Sequence, residues 1–262
     1  MILLDAHTHL YDCFDLTVTL DAAMRNLRLP GGATALHACA LTERSECSFF
    51  QRLENGELPP PTGWSVSPRT PFSLCLTSPA GEELWLLAGR QIKTAENLEL
   101  SALFFHGIIP DGTPICEALH RVIDSNGVPC LNWALGKWLF ARGRLIEELI
   151  REHAAHLLLC DSSMRPIGWP EPRAFALARK RHVPILSGTD PLPGPFDQAR
   201  IGSYAVALEA PFDPAQPDDS FRKALFTPSE KSQRIGRRSS IPLVLKRQRA
   251  YRRAARLLDE QA

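Results

Sequence analysis

Several features are missing from the 262-residue sequence, and each absence narrows the possible function. No run of 18 apolar residues occurs, so the sequence predicts no membrane-spanning helix. The N-terminus carries no basic leader or small-residue cleavage site, which favours a cytoplasmic location. The seven cysteines include no C-x-x-C pair, a pattern typical of buried reduced thiols and not of a disulfide framework or zinc ribbon. No repeat of about 20 to 50 residues occurs, which argues against a solenoid or propeller.

Positive charge is concentrated near the C-terminus, although the formal net charge is only +1. Residues 230–262 contain ten Lys or Arg and three acidic residues, whereas residues 1–229 contain twenty basic and twenty-six acidic residues. We therefore predict two parts, a main domain over 1–229 and a basic helical tail over 230–262.

The tail sequence "LKRQRAYRRAARLLDE" has the pattern of an amphipathic helix. One side carries Ala250, Tyr251, Ala254, Leu257 and Leu258, and the other carries Arg249, Arg252, Arg253 and Arg256. We expect this helix to dock on the acidic body with its arginines in water. Contact of the arginines with nucleic acid or a membrane surface is the less favoured alternative. Because no candidate ligand lies in the helix, we expect catalysis not to require it.

Short apolar runs alternate with segments of helical periodicity along most of the chain. The predicted strands are "MILLDAH", "ATALHACAL", "VPCLNWA", "HLLLCDSS" and "VPILSGTD", and the predicted helices are "LTVTLDAAMRNL", "ICEALHRVIDSNG", "RLIEELIREH" and "PRAFALARKRH". This alternation predicts an α/β fold with a mainly parallel sheet. The middle segment, "FSLCLTSPAGEELWLLAGRQIKTAENLELSALFFHG", instead predicts strands joined by hairpin turns.

Two histidines one residue apart, His7 and His9, end the first apolar run. Side chains two apart on a strand point to the same face, so both imidazoles can address one metal ion. In a barrel of parallel strands, functional groups gather where the strands end. Asp190 follows "VPILSGT" and precedes "PLPGP", so its carboxylate is the expected third ligand. We expect Asp5, just before the pair, to hold an imidazole in place.

Other polar residues are predicted at strand ends or near the site. They are His37, Asn132 and Asp161 at predicted strand ends, and the possible anion-binding cations Lys137, Arg165, Arg69 and Arg90. Arginine suits phosphate because its planar guanidinium donates two hydrogen bonds. Lys137 and Arg165 are the preferred candidates for binding substrate.

The succession "DAHTHL", "LLAGRQIKTAENLELSALFF", "GVPCLNWA", "LLLCDSS" and "VPILSGTDPLPGPFDQARIGSYAVAL" resembles the polymerase and histidinol phosphatase (PHP) superfamily to about residue 208. This resemblance implies a distorted, TIM-like β/α barrel, here with a C-terminal helix, that hydrolyses phosphate esters with up to three metal ions. His7, His9 and Asp190 match the family pattern. The sequence departs from it at Gln91, where the family has glutamate, at Asn132–Trp133 in place of His-Pro, and at Leu192 in place of the last histidine.

These departures predict that the site binds one divalent cation or none. The expected cation is zinc, manganese or iron. A bridging carboxylate offsets the repulsion between two cations, whereas the neutral amide of Gln91 offers one weak oxygen. The expected ligands are His7, His9 and Asp190, with Gln91 as a fourth contact and His37 as a more distant one. Asp190 is also the expected catalytic residue.

Three functions are compatible with these residues. The first is a metal-dependent hydrolase, foremost of phosphate esters, which acts on a small-molecule or phosphorylated substrate with metal-activated water. The second is an amidohydrolase, since that superfamily also combines an early H-x-H with a late "GTD", although its bridging residue and two further histidines are not evident. The third is a degenerate barrel that binds partners through its basic tail.

Overall fold

The computed structural model describes residues 1–29, 31–32, 34–194, 196–228 and 232–259, with side chains to residue 252. This part contains eleven strands: β1 (Ile2–Thr8), β2 (Leu36–Glu43), β3 (Ser65–Thr70), β4 (Ser73–Thr77), β5 (Glu83–Lys93), β6 (Glu99–Leu103), β7 (Val128–Asn132), β8 (Leu158–Ser162), β9 (Ile185–Gly188), β10 (Tyr204–Leu208) and β11 (Ser232–Gly236). It also contains seven α-helices: α1 (Leu16–Asn26), α2 (Phe49–Glu54), α3 (Ile115–Asp124), α4 (Phe140–His153), α5 (Arg173–Lys180), α6 (Pro217–Leu225) and α7 (Ile241–Asp259). The predicted strands and helices listed above are confirmed.

All eleven strands belong to one curved sheet. Its main order is β11-β10-β1-β2-β5-β6-β7-β8-β9, with β4 paired to the first half of β5 and β3 paired to β4. The sheet curves until β9 reaches β1, where the backbone N–H of Asp190 donates to the carbonyl of His7 at 2.8 Å. The protein is therefore a mixed α/β structure built on a nearly closed, barrel-shaped sheet.

The expectation of a mainly parallel sheet is wrong. Four strand pairings are parallel, and six are antiparallel. Parallel neighbours need a crossover of about a dozen residues or more, and the short link between β5 and β6 allows only a hairpin. The predicted hairpin at "SPAGEE" is confirmed, since Ser78 and Glu82 pair across a turn in which Gly81 has a φ of +79°.

The sheet has apolar side chains on both faces, in the alternation expected of strands. Leu3 packs with α1 on the outer face, whereas Ile2 and Leu4 pack inside the barrel. Phe221 of α6 fills the interior with Trp85, and their ring centroids lie 5.8 Å apart. Since the strand starts of β1, β7 and β8 belong to the same interior cluster, α6 covers this end and leaves the opposite end for the site.

The C-terminal segment is part of this architecture. β11 pairs with β10, so a strand of the sheet precedes the helix in this segment. The predicted boundary at residue 229 lies outside the described residues and stays a prediction. Among the described helices, none is both long and apolar enough to cross a membrane.

Helix α7 packs on the body, as the sequence predicted, but its inner face differs from the predicted one. Val244 and Arg247 are buried, whereas Ala250, expected to face inward, is exposed. Arg249 and Arg252 are exposed, as expected. The remaining predicted face residues, Arg253, Ala254, Arg256, Leu257 and Leu258, have side chains outside the described part.

Candidate metal centre

His7 and His9 lie at the C-terminal end of β1 with both rings buried. Their exposed fractions are 0% and 3%, and their Nε2 atoms are 3.0 Å apart. Strand geometry accounts for the pairing, because side chains two apart share a face. The sequence prediction that the two imidazoles address one point is confirmed.

Asp190 reaches the same point from β9. Its Oδ1 atom lies 3.8 Å from Nε2 of His7 and 3.8 Å from Nε2 of His9. Ser162 donates a hydrogen bond to the other carboxylate oxygen, Oδ2, at 2.9 Å. The φ angle of Asp190 is +52°, a left-handed conformation that aspartate tolerates better than most residues. The structure therefore brings His7, His9 and Asp190 together, as predicted.

Gln91 completes a convergent set of donor atoms. Its Oε1 atom lies 2.8 Å from Nε2 of His7. Nε2 of His7 thus faces three atoms with lone pairs, those of His9, Gln91 and Asp190, and a single proton cannot serve all three. A divalent cation can contact all of these atoms at once. Two metal–ligand bonds of about 2.0 to 2.2 Å, meeting at the cation, span the 2.8 to 3.8 Å between the donor atoms. Two imidazoles, one carboxylate and one amide oxygen fit zinc, manganese or iron.

Burial keeps His9 in the form that binds metals. Desolvation lowers the pKa of His9 well below its usual value, and the nearby His7 and Arg44 lower it further. Only the neutral imidazole offers its nitrogen lone pair to a cation. The Nδ1 atoms of both His7 and His9 are buried without a hydrogen-bond partner among the described residues.

Asp5 supports the backbone around the site and does not contact an imidazole, contrary to expectation. Its carboxylate accepts hydrogen bonds from the backbone N–H groups of Thr189 and Gly202 at 2.8 Å and of His7 at 3.3 Å. Burial raises the pKa of Asp5, while these hydrogen bonds lower it. Asp5 therefore joins the end of β1 to the segments that follow β9 and precede β10.

A cavity of about 350 Å³ opens beside the three predicted ligands. Its charged and polar lining residues are His9, Tyr11, Arg44, Gln91, Lys93, Glu99, Asp111, Lys137, Asp190, Gln248 and Tyr251. Lys137 lies here, as predicted, and its Nζ is 2.7 Å from Oε1 of Glu99. The cavity therefore combines a candidate metal site with cations that can attract an anion.

Seven of these residues were not predicted from the sequence, namely Tyr11, Arg44, Lys93, Glu99, Asp111, Gln248 and Tyr251. Arg44 directly follows β2, and Lys93 shares a strand face with Gln91, so a correct placement of the two strand ends would have identified both. Tyr11 lies two residues after His9. Gln248 and Tyr251 belong to α7, so this helix lines the cavity although it carries none of the predicted ligands.

His37 lies away from the other predicted ligands. It is near the start of β2 and pairs with Leu3 on β1, four residues before His7. At about 3.3 Å per residue, that offset is roughly 13 Å along the sheet. Its Nδ1 atom is 3.4 Å from the carbonyl of Glu83. The strand continues to Glu43, so His37 was wrongly placed at its exit.

Arg165 does not line the cavity. It is 2% exposed, and its guanidinium donates to both carboxylate oxygens of Asp161 at 2.7 and 2.6 Å. Tyr204 donates to the same carboxylate at 2.8 Å. The structure thus places Arg165 in a buried ion pair and not where a substrate would contact it.

Of the remaining predicted residues, Asn132 and Arg90 have local partners and Arg69 lies away from the cavity. Asn132 is buried and donates to Oγ of Ser101 at 2.7 Å. Arg90 donates to the backbone carbonyls of Cys47 and Arg44. Arg69 is exposed on β3 and lies outside the cavity lining.

Comparison of the sequence with protein-family models gave no match, and neither did comparison with curated proteins. Comparison with solved structures gave several matches, including two at low sequence identity. One is PsfC from Pseudomonas syringae PB-5123, with a TM-score of 0.62 and 15% identity over 96% of this chain and 98% of that chain. The other is the lesion-specific endonuclease PfuEndoQ from Pyrococcus furiosus, with a TM-score of 0.48 and 13% identity over 86% of this chain and 55% of that chain. The chain therefore shares its overall fold with PsfC.

Proposed function

We propose that the protein is a metal-dependent hydrolase that acts on small phosphate esters. The observation that carries this proposal is the convergence of His7 Nε2, His9 Nε2 and Asp190 Oδ1 within 3.8 Å of one another beside an open cavity. The sequence resemblance to the PHP superfamily supports it, and so does a barrel-shaped sheet with the site at one end. We assign the fold to the distorted TIM-like barrels of PHP type on the same grounds.

The donor set favours one cation. Gln91 contributes a neutral amide oxygen where a second cation would need a bridging carboxylate. The side chain of Leu192 offers no ligand atom. A site of His7, His9 and Asp190 leaves positions open for water and substrate, which is typical of catalytic centres.

A divalent cation at this site would lower the pKa of a coordinated water from 15.7 to about 7, which supplies a nucleophile at neutral pH. The protein contributes a fixed frame for that chemistry. The neutral ring of His9 presents Nε2 to the site, and the hydrogen bond from Ser162 orients Asp190 so that Oδ1 faces the imidazoles. We assign Asp190 as the catalytic carboxylate.

The cavity contains three cations that can contact a phosphate group, and three carboxylates, those of Glu99, Asp111 and Asp190, lie beside them. Arg44, Lys93 and Lys137 line it, and Lys93 is exposed. Arg44 can donate two parallel hydrogen bonds to phosphate oxygens. A volume of about 350 Å³ lies near the lower end of small-molecule sites, which favours a small ester over a polymer.

The test is hydrolysis of a panel of phosphomonoesters and phosphodiesters by protein loaded with manganese or zinc. We expect turnover of at least one ester, and we expect Asp190→Asn to remove it. Asp12→Asn is the matched control because Asp12 is exposed outside the cavity. Hydrolysis of amides alone would favour the amidohydrolase alternative. Absence of turnover with every metal would favour the degenerate binding scaffold.

A further inference from the structure

Arg247 on α7 is buried against the loop that carries Asp190. Only 4% of Arg247 is exposed, and its Nε donates to both carboxylate oxygens of Asp197 at 3.1 and 2.8 Å. Its Nη1 donates to the hydroxyls of Ser163 and Ser239 at 3.1 and 3.4 Å. Burying a charge is costly unless partners satisfy it, and here every guanidinium nitrogen has a partner.

The same side chain holds the backbone of the predicted metal ligand. Nη2 of Arg247 donates to the carbonyl of Asp190 at 2.9 Å. Asp197, the ion-pair partner of Arg247, accepts from the backbone N–H of Leu192 at 2.8 Å. Arg247 and Asp197 thus hold residues 190 and 192 from one side, while His7 holds the N–H of Asp190 from the other.

The conformation of Asp190 explains why such support is needed. A positive φ is unfavourable for a residue with a side chain, although less so for aspartate than for most, and it is held in place by its surroundings. The φ of Asp190 is +52°. In this conformation its carboxylate projects toward His7 and His9 while its carbonyl points toward α7.

We propose that Arg247 is a positioning residue that holds Asp190 in its ligand conformation, and that α7 is consequently a structural part of the metal centre. The inference rests on the proposed function, because it assigns Asp190 as a ligand. Gln248 and Tyr251, on the same inward face of α7, line the cavity, which places this helix at the site by a second contact.

The test is titration of the metal-free protein with cobalt(II), followed by the visible absorption of the bound ion. Arg247→Met removes the hydrogen bond to Asp190 but leaves Asp197 buried without a cation. Arg247→Met combined with Asp197→Asn avoids that unpaired charge and is the variant expected to fold. Arg249→Met is the control, since Arg249 is an exposed arginine two residues along the same helix. Denaturant unfolding of each variant measures stability separately from metal affinity.

We expect the double variant to bind cobalt about 10- to 100-fold more weakly than wild type and with an altered spectrum, the usual effect of removing a group that orients a ligand. Arg249→Met should bind as wild type does. A folded double variant with the affinity and spectrum of the wild type would overturn this inference while leaving the proposed function intact. A wild-type protein that binds no cobalt would overturn both.

Discussion

The backbone of Gly188 passes so close to His7 that a Cβ atom on residue 188 would lie 2.4 Å from the Cβ atom of His7. It would also lie 2.6 Å from the backbone nitrogen of His7. Only a residue without a side chain allows β9 to approach β1 this closely. The contact sets the position at which Asp190, two residues later, meets the imidazoles.

Gly188→Ala should therefore destabilise the protein and displace Asp190. The added methyl group meets backbone and Cβ atoms that cannot rotate away, and we expect a loss of about 1 to 3 kcal/mol in the free energy of unfolding. Denaturant unfolding of the metal-free protein measures this loss. Unchanged stability would show that β9 does not lie against β1 as described.

Metal stoichiometry tests the ligand assignment. Protein purified without chelator should carry at most about one transition metal ion per chain, since Gln91 cannot bridge two cations. His7→Ala combined with His9→Ala should abolish binding, because two of the donor atoms are lost. Elemental analysis of purified protein provides the measurement. Two or more tightly bound ions per chain would show that further residues act as ligands.

Metal-free protein should lose stability as the pH falls below about 6.5, the ordinary pKa of histidine. Burial lowers the pKa of His9 in the folded state, so the unfolded chain binds a proton first and acid favours unfolding. This contribution is fully present above about pH 6.5 and is lost progressively toward the folded-state pKa. Between pH 7.5 and 5.5 we expect His9 to account for roughly 1 kcal/mol of the change in unfolding free energy.

His9→Gln provides the comparison for this pH effect, because glutamine is polar and does not titrate. Denaturant unfolding at both pH values should show a smaller acid loss in this variant than in wild type. Equal losses in the two proteins would mean that His9 does not titrate differently on folding.

Substitution of Arg165 should mainly reduce stability, whereas substitution of Lys137 should mainly weaken substrate binding, although the sequence predicted both residues to bind substrate. Arg165→Met leaves Asp161 buried without its cation and should cost about 3 to 5 kcal/mol of unfolding free energy.

Lys137→Met breaks a partly exposed pair with Glu99 and should cost about 1 kcal/mol or less. In the active enzyme, Lys137→Met should raise KM because an anion-binding cation is lost. A Lys137 variant with unchanged KM would exclude Lys137 from substrate binding.

The strands and helices around the site were predictable from the sequence because each has a local signal. The H-x-H pair on an apolar run placed His7 and His9 on one face, and "GTD" after a strand placed Asp190 at the same end of the sheet. The resemblance to PHP proteins added Gln91, which lies 2.8 Å from His7. To place these residues at one end of the sheet, only the direction of each strand has to be predicted correctly.

Other features depend on contacts that no local pattern records. The placement of His37 failed because the sequence does not show where β2 ends. Arg165 was misassigned because an arginine four residues after Asp161 has the same sequence signal whether it pairs internally or faces solvent. The contact between α7 and Asp190 was not predictable because Arg247 lies 57 residues from Asp190 in the sequence, and only the folded chain brings them together.

Anomalous X-ray diffraction from crystals of the protein soaked with zinc or manganese tests the central claim most directly. We predict one anomalous peak per chain, within about 2.0 to 2.2 Å of Nε2 of His7, Nε2 of His9 and a carboxylate oxygen of Asp190. A peak at the cavity without these three contacts, or no peak in a folded protein soaked with either metal, would contradict the assignment of a metal centre to these residues.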